Sequence, residues 1–172
     1  MELKFRVSKI ANHFFFVSTL GDWNNSLYRK KTRKEWKTML GALNTNEKKA
    51  IKKLEKILFK YQKNSGKWLH NIFYVYDNEQ KIWNWIKKNY TKEEFNDLKE
   101  VFNVTQGKFD KLWQKIDVQQ VKDFCERLKR DYNQGMFSDI SKFIGFKNSD
   151  KLIINIAVCP IVLGMGIAGH AW

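Results

Sequence analysis

From Leu152 to Trp172 the chain reads LIINIAVCPIVLGMGIAGHAW, twenty-one residues without a charge. Such a run has two destinations: a strand covered on both faces or the interior of a bilayer. The β-branched block Ile153, Ile154, Ile156 and Val158 favours a strand. Asn155, Pro160, Gly164, Gly166, Gly169 and His170 weigh against a membrane helix. The natural partner within the chain is Glu2–Val7, where Leu3, Phe5 and Val7 alternate with Glu2, Lys4 and Arg6 at the period of a half-buried strand. The alternative is a tail anchor through 152–172, an apolar end on a basic body.

Between these ends the rhythm is helical. Ser8 is placed to cap a helix through Leu20 that stops at Gly21, with Ile10, Phe14 and Val17 inward. Leu27–Leu43 reads as partly helical. From Thr45, a stripe of Ala50, Ile51, Leu54, Ile57, Leu58 and Tyr61 faces lysines on the remaining surface. Trp68–Tyr76 and Ile82–Tyr90 read as core helices, with Phe73–Tyr76 open to a short strand by propensity. Thr91 with Glu94 forms a capping box before Phe95, Leu98, Val101 and Phe102, and Thr105 is expected to cap a further helix carrying Phe109, Leu112, Trp113 and Ile116. Asp117 with Gln120 opens another, with Val118, Val121, Cys125, Leu128 and Tyr132 on one face, and a short helix is expected over 138–144. The expected fold is α+β, predominantly α: six to eight helices, with a small sheet formed by the N-terminal strand and the C-terminal apolar segment. Residues 1–148 would be the helical domain with its strand, and 149–172 a strand and Gly-rich turn packing on it. At 172 residues and 43% apolar content the chain can bury a sizeable core.

The net charge is +14, and it is unevenly spread. Residues 1–68 carry 17 Lys or Arg against 5 Asp or Glu; residues 69–172 carry 15 against 13. A basic surface gains affinity for phosphate by counterion release. The alternative function is therefore a nucleic-acid-binding module whose phosphate-binding surface would include Arg29, Lys30, Lys31, Arg33, Lys34, Lys49 and Lys53. The bland reading is a solvated lysine face, since 27 of the 32 basic residues are lysine rather than the bidentate arginine. The same helix 45–63 could lie on an acidic membrane surface.

No residue set forms a complete active site. His13 and His70 sit among aromatics, as hydrogen-bonded structural histidines do, and neither pairs locally with Cys125, Cys159 or His170 in the manner of a zinc site. Gly164, Gly166 and Gly169 match GxGxxG after an apolar block, but the acid expected about 20 residues later would lie beyond Trp172. A turn or groove at Gly164, Gly166 and His170 is the plainer reading. Walker, GxSxG and CxxC patterns are absent. Glu93, Glu94, Asp97 and Glu100 read as a solvated helix face. With no apolar signal core in MELKFRVSKI and two widely spaced cysteines, a reduced, cytoplasmic setting is expected.

The opening KFRVSKIANHFFFVSTLGDWNNSLY, Lys4–Tyr28, and the closing KLIINIAVCPIVLGMGIAGHAW, Lys151–Trp172, together resemble the region preceding the zinc helix in bacterial zincin-like metallopeptidases. In that family an opening strand leads into a helix with a Leu-Gly type turn, and a closing strand and Gly-rich turn precede HExxH. The resemblance implies a non-catalytic N-terminal region, inactive alone, acting with downstream sequence on a polypeptide substrate. HExxH is absent here, so the resemblance assigns no zinc ligand or catalytic residue; zinc would enter only through a downstream HExxH.

Overall fold

The computed structural model describes residues 2–23, 26–76, 78–131, 153–159 and 166–171, the strands by their backbone. Among them are seven α-helices: α1 (Lys9–Leu20), α2 (Leu27–Leu40), α3 (Thr45–Tyr61), α4 (Leu69–Val75), α5 (Glu79–Asn89), α6 (Lys92–Trp113) and α7 (Val118–Asp131). The chain is predominantly helical. The starts of α1, α2, α3, α5 and α6 share one device: Ser8, Ser26, Asn44, Asn78 and Thr91 each accept the backbone N–H three residues on. This satisfies donors that the first helical turn leaves open. At α3 and α6 the acid at the third position, Glu47 or Glu94, reaches back to complete a capping box.

Helix α1 is the hub. Ile10, Ala11, Phe14, Phe16 and Val17 are buried, and so are Asn12, His13, Ser18 and Thr19. A helix buried all round must be surrounded, and α1 touches α2, α3, α4 and α6. Its rings seed an aromatic stack. Phe14 lies parallel to Phe73 of α4 at 4.2 Å, and the other face of the stack continues from Phe73 to Phe102 of α6 at 5.4 Å.

Helix α6 corrects the reading of Thr105 as a cap. The helix runs unbroken from Lys92 to Trp113, and the Thr105 hydroxyl donates to the Val101 carbonyl at 2.7 Å. That hydroxyl satisfies itself within the helix while Leu98, Val101, Phe102, Phe109 and Leu112 keep one buried stripe in phase. Likewise Phe73–Tyr76 is no strand: Phe73 and Tyr74 are buried in α4, where packing overrides propensity. The short helix expected over 138–144 lies outside the described residues.

The backbone pairs β1 (Glu2–Arg6), β2 (Ile153–Cys159) and β3 (Gly166–Ala171) in that order. β1 runs parallel to β2 with Glu2 opposite Ile153, and β2 antiparallel to β3 with Asn155 opposite His170.

Candidate functional site

Helix α2 sorts the cluster RKKTRKEWK by face. Arg29, Arg33 and Trp36 are four and three residues apart and share the inner side, where Trp36 is 1% exposed. Arg29 Nη1 donates to the Ser18 carbonyl at 2.8 Å, and its guanidinium lies 4.9 Å from the Trp23 ring centre. Arg33 donates to the carbonyls of Thr19 and Gly21 and pairs with Asp22 at 3.2 Å. The last carbonyls of a helix lack partners and carry its partial negative charge. The two guanidinium groups therefore finish the C-terminal end of α1. Lys30, Lys31 and Lys34 are exposed on the outer side.

Helix α3 divides its lysines in the same way. Lys53 Nζ lies 2.8 Å from Asp97 and 2.7 Å from Glu100, and Lys60 lies 2.7 Å from Glu94. The bonds to Asp97 and then Glu100 hold the Lys53 ammonium above its ordinary pKa. The acidic face of α6 is thus the partner of one flank of α3. Lys49, Lys52 and Lys56, spaced i, i+3, i+7, are exposed and make no ion pair among the described residues. Glu55 accepts the backbone N–H of Asp22, close enough that a Cβ on Gly21 would stand 2.8 Å from its Oε1. Arg33 from α2 and Glu55 from α3 thus both bond the turn at Gly21 and Asp22 that follows α1.

Of the basic residues expected to bind phosphate, Lys30, Lys31, Lys34 and Lys49 are therefore open to solvent, while Arg29, Arg33 and Lys53 are engaged within the fold. The sorting was legible in principle, because Arg29, Arg33 and Trp36 recur at helical spacing.

A polar recess of about 190 Å³ lies across α1, lined by Lys9, His13, Glu79, Lys99, Asn103 and Gln106 among others. The Thr105 hydroxyl gives its proton to Val101, so its oxygen accepts from His13 Nε2 at 3.0 Å. Burial pushes the imidazole down to about 3, with Asp110 opposing, and the neutral ring stacks on Phe109 at 4.2 Å. His70 stacks on Trp68 at 4.6 Å. Both histidines are packed among rings. Among the described residues no group of His, Cys, Asp or Glu could hold a metal ion, and no helix is long and apolar enough to cross a membrane. Gly166 and His170 lie in β3, opposite Cys159 and Asn155; Gly164 is outside the described residues. Comparison with family models, curated proteins and solved structures finds no match to the chain.

Proposed function

We propose that the helical body binds the phosphate backbone of a nucleic acid through Lys30, Lys31 and Lys34 of α2 and Lys49, Lys52 and Lys56 of α3. The observation that carries this reading is the sorting of charge by face. Basic groups turned inward are consumed by helix ends and carboxylates; those turned outward on α2 and α3 are left exposed, and the two helices share one junction, the turn at Gly21 and Asp22 after α1. Asp22 and Glu55, the acids at that junction, are themselves engaged. Lysine supplies point charge rather than bidentate base readout, so the binding is to backbone and carries little sequence preference.

Anisotropy titration of the full chain with labelled 20-mer DNA and RNA tests it. With about four lysines engaged, log K should fall against log salt with a slope of about −3 to −4. Replacing Lys30, Lys31 and Lys34, or Lys49, Lys52 and Lys56, by Gln should flatten the slope while thermal stability holds. Binding that ignores salt, or that survives both triple replacements unchanged, overturns the reading.

The zincin-like reading is a separate proposal, supported by the resemblance of Lys4–Tyr28 and Lys151–Trp172. On it the chain is a non-catalytic part of an α+β assembly whose small sheet joins both ends, and an open frame leading to HExxH is its test. A reducing, cytoplasmic setting belongs with either reading; the buried free thiol of Cys125 is consistent with it.

A further inference from the structure

Helix α2 ends at Gly41, and the turn through Asn44 leaves a cleft of about 270 Å³ between the ends of α1 and α2. Phe16, Leu20, Trp36, Leu40 and Leu43 line it. Leu20, Leu40 and Leu43 are half-buried and form the open apolar wall, backed by the fully buried rings of Phe16 and Trp36, whose centroids lie 4.9 Å apart. Apolar wall facing such a space gains about 25 cal/mol per Å² when another apolar group covers it.

The rim has a single sign. Lys37 at the end of α2 and Lys48 at the start of α3 both line the cleft, both are exposed, and neither has an ion pair among the described residues. Arg33 and Lys108 also reach it, but they are held by Asp22 and Glu47. Among the described residues no carboxylate lines the cleft. The space is at the small end of ligand pockets, and its hydrocarbon wall offers no partners for a sugar or base. A flexible chain or a single ring system fits it better than a nucleotide does.

We propose that this cleft binds a small amphiphilic carboxylic acid, its apolar part on Leu20, Leu40 and Leu43 and its carboxylate between Lys37 and Lys48. The chemistry is that of a medium-chain fatty acid. The site is independent of the nucleic-acid reading: its ligand is held by chain burial as well as charge, and its two lysines are not among the six that carry the phosphate surface.

Calorimetric titration of the full chain with decanoate, below its micellar range, tests the site. One equivalent should bind saturably, and decyltrimethylammonium, with the same chain and the opposite charge, should not. Lys37→Gln with Lys48→Gln should weaken decanoate by about tenfold. Ala42→Trp, at an exposed lining position, should fill the mouth and abolish binding with the thermal midpoint retained. Absence of saturable binding at millimolar decanoate, equal binding of the cationic chain, or unchanged affinity in both variants would overturn the proposal.

Discussion

Lys108 Nζ lies 2.8 Å from Glu47 Oε2, with the two side chains only 17% and 5% exposed. The same ammonium donates to the Ala42 carbonyl at 3.0 Å, and Glu47 also accepts the Asn44 N–H at 2.7 Å. One pair thus joins α6, the start of α3 and the turn between α2 and α3. Lys108→Met strands a buried carboxylate and should cost about 3 kcal/mol or more in chemical denaturation. Adding Glu47→Gln, which keeps the cap without the charge, should recover most of the loss. A double variant no better than the single would show that the pair is not the source.

Acid should loosen the fold early, through His13. Its folded pKa of about 3 lies below the ordinary 6.5, so between these values the unfolded chain binds more protons. Stability from this group is complete above pH 6.5 and is lost as pH falls toward 3, by up to about 1.4 kcal/mol per pH unit. Melting between pH 7.5 and 5 should show the decline in the wild type and a flatter profile in His13→Phe. Glu94 and Asp110, whose carboxyls are held low, add their own loss further down; burial works against the Glu94 shift, and Lys60 and the Thr91 backbone produce it.

Gly41 has φ 79° and ψ 171°, a combination essentially confined to glycine. A Cβ there would meet nothing within 4 Å. Gly41→Ala should therefore lose about 1–3 kcal/mol from backbone strain alone, and thermal denaturation of that variant against Ala42→Gly would isolate the effect.

Neighbouring basic residues on α2 should separate stability from binding. Arg33→Gln removes bonds to the end of α1 and should lower stability by about 1–2 kcal/mol. Lys34→Gln should leave the melting midpoint in place and weaken nucleic acid. Equal loss of stability from both would mean that the two faces are not distinct.

Much of the helical body is legible in the sequence because its signals are local. Asn44 with Glu47 and Thr91 with Glu94 act within one turn, and the stripe from Ala50 to Tyr61 repeats at the helical period. Thr105 misleads for a non-local reason. Its hydroxyl has two possible uses, capping or internal bonding, and the choice is made by His13, a residue 92 positions away. The basic surface is similar: composition puts charge on α2 and α3, but Ser18, Gly21, Asp97 and Glu100 decide which cations are spent inside. The cleft beside Gly41 is invisible in sequence, because an unfilled space belongs to no residue.

The bond between His13 and Thr105 also sets a clock. The ribosome delivers α1 before α6, and α6 comes last among the helices that touch it. At about 5–20 residues per second, the 92 positions between the two partners take roughly 5–20 s to emerge. For that interval His13 and Phe16 lack the Phe102 and Phe109 rings of α6 that receive them. The yield of the chain in a cell should therefore depend on the supply of chaperones that shield apolar segments more steeply than the stability of the finished fold would indicate.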